Sequence, residues 1–118
     1  MLLVEDEPEV RAVLRSHLRA LGCRVTEAGT AEEALATLEG EGAADRPDLL
    51  LTDIALGPGR PGSELACDVE QRWPRTALLL MSGYASAQRG EFELLKKPFA
   101  RAELAHAIAR ALARRGGG

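Results

Sequence analysis

The 118-residue chain is long enough for one domain with a buried core and too short for two. Its composition, 46% hydrophobic and 28% charged, is typical of a folded globular protein. The net charge of −3, with no basic cluster before Arg110, Arg114 and Arg115, argues against direct nucleic-acid binding, and no apolar run is long enough for membrane insertion. Cys23 and Cys67 lack metal-ligand spacing, so we expect free thiols and a cytoplasmic protein.

The chain opens with a predicted strand and helix. Met1–Val4 is an aliphatic run typical of a short buried strand. Apolar residues then recur at helical spacing over 9–21, after Pro8, which suits the first turn of a helix. Gly22 fits the left-handed residue that commonly ends a helix.

The next two predicted strands differ in their surroundings. Residues 23–27 alternate in polarity, which predicts an edge strand, and the capping-box pattern at Thr30–Glu33 begins a helix through Leu38. Leu49–Thr52 is apolar nearly throughout, which predicts a central strand buried on both faces, and it ends at Asp53. A carboxylate there lies where open α/β folds place their ligands, although an Asp also commonly starts a turn.

The rest of the chain continues this alternation of strands and helices. The predicted elements are a helix at 63–72, a strand at 76–81, a short fourth helix within 85–91, a strand at 92–95 and a final helix at 101–114. Repeated β-α units predict one α/β domain with a parallel sheet and helices on both faces. We expect this domain to span residues 1–115, followed by a disordered tail at 116–118.

Four of the predicted strands end in polar side chains that should meet at one edge of a parallel sheet. These are Glu5 and Asp6, Asp53, Ser82 and Lys97. Neighbouring carboxylates repel each other unless a cation intervenes, and Mg²⁺ prefers such oxygen ligands. A lysine charge and a serine hydroxyl suit the oxygens of a phosphoryl group. The pattern therefore predicts a phosphoryl-binding site in which Asp53 is the candidate nucleophile that forms an aspartyl phosphate.

The same parts of the chain resemble the receiver domain of response regulators in bacterial two-component systems. The resemblance lies in Leu3–Glu7, Pro47–Asp53, Met81–Tyr84 and Leu95–Phe99. It implies a flavodoxin-like three-layer sandwich with strand order 2-1-3-4-5. It also implies that Asp53 accepts phosphate from the phosphohistidine of a histidine kinase or phosphotransfer domain. The signal would then pass to a downstream protein partner or a covalently attached domain.

The resemblance further implies the role of each site residue. The metal, Mg²⁺ or in its place Mn²⁺, would be bound by Glu5, Asp6, Asp53 and the backbone carbonyl of Ala55. Asp6 would bind it directly, and Glu5 directly or through water. Ser82 and Lys97 would contact the phosphoryl oxygens, with a cis peptide bond between Lys97 and Pro98. With these groups the domain would catalyse its own phosphorylation and dephosphorylation at Asp53.

Three features depart from the family pattern. Glu5 stands where Asp is more common, Leu94 stands where many members carry a switching aromatic residue, and only fourteen residues separate Ser82 from Lys97. The fourth helix is therefore predicted to be shortened or missing. The alternative function is a receiver-like interaction module with weak or no phosphorylation-dependent switching. Leu94 and the motif at 82–84 are similar to the corresponding residues in receivers of hybrid sensor kinases, which is consistent with a domain taken from such a longer protein.

Overall fold

The topology is that of a single five-stranded parallel sheet with helices on both faces. The computed structural model describes residues 1–40, 46–56, 59, 61–83 and 92–114. The elements are β1 (Leu2–Val4), α1 (Pro8–Ala20), β2 (Thr26–Ala28), α2 (Ala31–Gly40), β3 (Leu49–Asp53), α3 (Gly62–Arg72), β4 (Ala77–Ser82), β5 (Glu93–Lys96) and α4 (Arg101–Arg114). The strand order β2-β1-β3-β4-β5, parallel throughout, confirms the predicted flavodoxin-like arrangement.

Two predictions fall on parts of the chain that the structure does not describe. The shortened or missing fourth helix, predicted within 85–91, lies outside the described residues, and so does the tail at 116–118. Within the described ranges, no helix is long and apolar enough to cross a membrane.

The sheet is buried on both faces, as the aliphatic strands predict. Successive side chains of a strand point to opposite faces, so Leu49 and Leu51 of β3 pack on one side and Leu50 on the other. The first side is covered by residues of α1 and α4, namely Leu14, Leu18, Leu104, Ala107, Ile108 and Ala111. The second is covered by residues of α2 and α3, namely Ala31, Ala34, Leu38, Leu65 and Val69.

The ends of α1 and α2 follow the predicted signals closely. Gly22 has a φ of 88°, the left-handed conformation predicted for the residue that ends α1. At the start of α2 the Glu33 N–H donates to Thr30 Oγ1 at 3.1 Å, which is one half of a capping box. The other half is displaced by one residue, because the Glu33 carboxylate accepts from the N–H of Gly29 at 3.3 Å.

The second strand lies at the edge of the sheet as predicted, but its boundaries differ. It was predicted at 23–27 and is observed at Thr26–Ala28. The N–H of Cys23 donates to the carbonyl of Leu18 at 3.0 Å, so the chain is still completing the turn after α1 at that point. Pairing begins only where Thr26 reaches Leu2 of β1, so the register with β1 sets the start of β2.

Candidate functional site

The sheet places the predicted site residues along its carboxyl-terminal edge. Glu5 directly follows β1, Asp53 and Ser82 are the last residues of β3 and β4, and Lys97 directly follows β5. The β3–β4 register sets Asp53 opposite Met81, one residue before Ser82. Parallel strands in register therefore bring groups far apart in sequence to one edge, where α/β folds bind their ligands.

The ammonium group of Lys97 lies between two carboxylates. Its Nζ donates a hydrogen bond to Asp53 Oδ2 and lies 3.6 Å from Glu5 Oε1. Burial alone would lower the pKa of Lys97, but the hydrogen bond and charge of Asp53, with the charge of Glu5, raise its pKa above the ordinary value. Lys97 is therefore a positioned cation at neutral pH.

The backbone of Lys97 is joined to the end of β4. Its N–H donates to the carbonyl oxygen of Ser82 at 2.7 Å. The peptide bond between Lys97 and Pro98 is cis, which confirms the prediction. Ser82 itself is buried, with 3% of its surface exposed. The fold thus brings the predicted hydroxyl and lysine to neighbouring positions.

Glu5 is the deeply buried acid of the site, with 2% of its surface exposed. The pKa of Glu5 is raised overall, mainly by burial. The carboxyl of Asp6 and the charge of Asp53 raise this pKa further, whereas the hydrogen bond from the N–H of Glu7 and the charge of Lys97 lower it. Oε2 accepts from the Glu7 N–H at 3.2 Å, whereas Oε1 is buried without a hydrogen-bond partner. At 3.6 Å, Lys97 Nζ makes only a charge contact with that oxygen.

The donors at this edge fit a hard divalent cation. A buried oxygen without a hydrogen-bond partner, Glu5 Oε1, is available to a cation beside the carboxyl of Asp6. Asp53 is the third carboxylate, and its Oδ1 accepts the N–H of Ala55 at 2.9 Å. Across the described ranges no three His, Cys, Asp or Glu side chains form a ligand set by themselves. Mg²⁺ does not need such a set, because it usually binds one or two carboxylates and keeps several waters.

Arg11 supports this site and was not predicted from the sequence. From α1 its Nη1 donates to the backbone carbonyl of Glu5 at 2.7 Å, and its Nε donates to Glu27 Oε1 at 3.2 Å. Arg15 pairs with the same Glu27 carboxylate at 2.9 Å. A cation near the N-terminus of a helix is disfavoured by the helix dipole, and this misplacement is the signal that could have identified Arg11.

The observation that decides the family is a match over nearly the whole chain. Residues 1–109 match the response regulator receiver domain. The chain belongs to this family. Receiver domains act in two-component signalling, and Mg²⁺ is the metal of the family.

Two curated relatives show that this receiver domain also occurs within longer proteins. The chain is 34% identical over 111 residues to the KDP operon transcriptional regulatory protein KdpE of Escherichia coli, covering 88% of this chain and 47% of the relative. It is 38% identical over 111 residues to the transcriptional activator protein PfeR of Pseudomonas aeruginosa, covering 88% of this chain and 34% of the relative. The chain therefore spans less than half the length of these relatives.

Solved structures agree with the receiver fold. The response regulator receiver protein of Sinorhizobium medicae is 26% identical with a TM-score of 0.83, covering 97% of this chain and 94% of that one. The response regulator TrrA of Thermotoga maritima, solved with Mg²⁺ and BeF, is 27% identical with a TM-score of 0.81, covering 94% of this chain and 96% of that one. The receiver fold is thus common to all three chains.

Proposed function

We propose that this receiver domain accepts a phosphoryl group on Asp53, in an Mg²⁺-dependent transfer from the phosphohistidine of a histidine kinase or phosphotransfer domain. The observation that carries the proposal is the contact between Lys97 Nζ and the Asp53 carboxylate, beside the Glu5 oxygen that has no hydrogen-bond partner. A carboxylate held by a cation is suited to a transfer that adds negative charge, and the buried acid beside it offers an oxygen to Mg²⁺.

Asp53 is the nucleophile in this proposal. One of its carboxylate oxygens forms the new O–P bond while the P–N bond of the phosphohistidine breaks, and the bonding electron pair returns to the imidazole nitrogen. Both oxygens already have partners, Oδ1 the N–H of Ala55 and Oδ2 the ammonium of Lys97. These contacts orient the carboxylate, which reduces the loss of rotational freedom on the way to the transition state.

Lys97 and Ser82 stabilise the transferred group. The raised pKa of Lys97 keeps its ammonium charged, so it can pair with a phosphoryl oxygen after Asp53 has reacted. The buried Ser82 hydroxyl at the same edge supplies a hydrogen-bond donor. Attack of water on the phosphorus of the acyl phosphate breaks the O–P bond, releases inorganic phosphate and returns Asp53 to its carboxylate form. With the same groups the domain would catalyse both its phosphorylation and its dephosphorylation.

The metal would be held by the side chains of Asp6 and Asp53, by Glu5 directly or through water, and by the carbonyl of Ala55. Mg²⁺, or Mn²⁺ in its place, would offset the negative charge of the incoming phosphoryl oxygens. The buried oxygen of Glu5 and the adjoining carboxyl of Asp6 support this assignment. These acids are therefore proposed to bind and to orient, and Asp53 to react.

The proposed output is a change in a protein-interaction surface of a cytoplasmic domain, read by a protein partner or an attached domain and not by direct contact with nucleic acid. A second candidate is an interaction module with weak or no switching. Leu94 favours it, because this half-buried position of β5 carries an aliphatic side chain and not an aromatic ring. Hydrogen exchange of β5 and α4 before and after phosphorylation separates the two, since only a switch changes their protection.

The test of phosphorylation uses acetyl phosphate as the small-molecule donor. The intact chain is incubated with acetyl phosphate and Mg²⁺, and its mass is measured. We expect one phosphoryl adduct on the wild type, none on Asp53→Asn, and none when a chelator removes Mg²⁺. An unmodified wild type, or an equal adduct on Asp53→Asn, would overturn the proposal.

A further inference from the structure

The first residue of α3 lies unusually close to the backbone of Asp53. Gly62 is buried, and its N–H donates to the carbonyl of Ile54 at 2.8 Å. A Cβ atom added at Gly62 would lie 1.8 Å from the carbonyl oxygen of Asp53 and 2.8 Å from its carbonyl carbon. Real Cβ atoms essentially never approach another atom to less than 3.0 Å. The site therefore needs glycine for space, because only a residue without a side chain lets α3 begin there.

The same carbonyl oxygen is bound from a second direction by Thr52. The Thr52 side chain is fully buried, and its Oγ1 donates to the Asp53 carbonyl oxygen at 3.1 Å. That hydroxyl would also lie 2.9 Å from a Cβ at Gly62, so the three groups converge on one point. Thr52 is the one polar residue within the aliphatic part of β3, where valine would fill nearly the same volume.

The residue after Asp53 is held on both sides as well. The Ile54 N–H donates to the carbonyl of Met81 in β4 at 2.9 Å, and the Ile54 carbonyl accepts from Gly62. These two hydrogen bonds oppose rotation of the Asp53–Ile54 peptide plane, so a displacement of the Asp53 carbonyl is passed to its Cα atom and from there to the carboxylate that contacts Lys97. Backbone packing and reactivity are thereby coupled at Asp53.

We propose that Gly62 and Thr52 are positioning residues for the phosphoacceptor Asp53. The space at Gly62 and the hydroxyl of Thr52 together fix the carbonyl of Asp53 and thereby orient its carboxylate. This inference rests on the proposed function of Asp53. It adds two residues that touch neither the metal ligands' side chains nor the phosphoryl group, and that act only through the Asp53 backbone.

The first test is Gly62→Ala. Relief of the 1.8 Å contact requires a relative shift of more than about 1 Å, and a misplacement of about 1 Å at a reacting group costs roughly 100-fold in rate. We expect the phosphorylation rate at saturating acetyl phosphate and Mg²⁺ to fall about 100-fold, in a chain whose circular dichroism shows it to be folded. The matched control is Gly40→Ala at the end of α2, where an added Cβ meets nothing within 4 Å, and its rate should equal that of the wild type.

The second test separates positioning from stability by a pair of variants at one position. Thr52→Val keeps the branched shape and loses the hydroxyl, whereas Thr52→Ser keeps the hydroxyl and loses the methyl group. Both changes lower stability by comparable small amounts. If the hydroxyl orients the Asp53 carboxylate, the phosphorylation rate of folded Thr52→Val should fall about 10-fold, whereas that of Thr52→Ser should stay within about 2-fold of the wild-type rate.

The outcomes distinguish this inference from the proposed function on which it rests. A wild type that takes up no phosphate overturns the proposed function itself. A phosphorylatable wild type with equal rates in the Thr52 pair overturns the inference, and so does a folded Gly62→Ala with the wild-type rate. Should Gly62→Ala fail to fold, the Thr52 pair decides alone, because neither of its variants introduces a clash.

Discussion

Replacing Lys97 by Met should destabilise the domain in the absence of Mg²⁺, and the structure allows the loss to be worked out. Met keeps the length of the side chain but removes the cation that lies between two carboxylates. Glu5, with 2% of its surface exposed, would then be left beside the charge of Asp53 without compensation. A buried charge that loses its partner is strongly unfavourable.

The magnitude follows from the separation of the charges. At 3.6 Å, and with an effective dielectric constant of about 20, the attraction between Lys97 and Glu5 is about 5 kcal/mol. The Lys97 side chain is 29% exposed, so solvent screening and the removed desolvation cost reduce the net loss in the free energy of unfolding to about 2–3 kcal/mol. At about 4 °C per kcal/mol, the melting temperature should fall by about 10 °C.

The assay is urea denaturation with and without millimolar Mg²⁺. The metal should recover part of the loss, because it binds the same carboxylates only in the folded state. The control is Lys96→Met, an exposed neighbour in β5 that should change the free energy of unfolding by less than about 0.5 kcal/mol. Equal losses in the two variants, or an undiminished Lys97→Met loss in a Glu5→Gln background, would refute the reasoning.

Three further predictions concern the metal, an ion pair and the core. Asp6→Ala should abolish the rise in melting temperature that Mg²⁺ produces in the wild type. The hydrogen bond from Arg15 lowers the pKa of Glu27 despite burial, and the charges of Arg15 and Arg11 add to this effect. The ion pairs of Glu27 therefore stabilise the fold fully above the ordinary pKa of 4.5, and this stabilisation is lost as the pH falls through the folded-state pKa. In an acid titration followed by the free energy of unfolding, Glu27→Gln should lack this loss. Leu51→Ala, at a fully buried position of β3, should lower the free energy of unfolding by about 3 kcal/mol in urea.

Local patterns were enough to predict most elements, because each was set by chemistry within a few residues. The aliphatic run of β3 requires burial on both faces, and Gly22 supplies the left-handed conformation after α1. The boundaries of β2 were wrong for the opposite reason. Pairing with β1 decides where β2 begins, and that partner lies more than twenty residues away in the chain.

The same distinction applies to the site: its residues could be predicted from local patterns, whereas some of its contacts depend on packing. The sequence by itself determined which polar groups end the strands, since Asp53 and Ser82 end apolar runs that have to enter a parallel sheet and Lys97 follows the last predicted strand. It could not show that Arg11 reaches the carbonyl of Glu5, since that contact depends on how α1 packs. Nor could it show why Gly62 is a glycine. That requirement arises only when α3 is packed against β3, because packing brings two stretches of backbone together at a distance that leaves no room for a side chain.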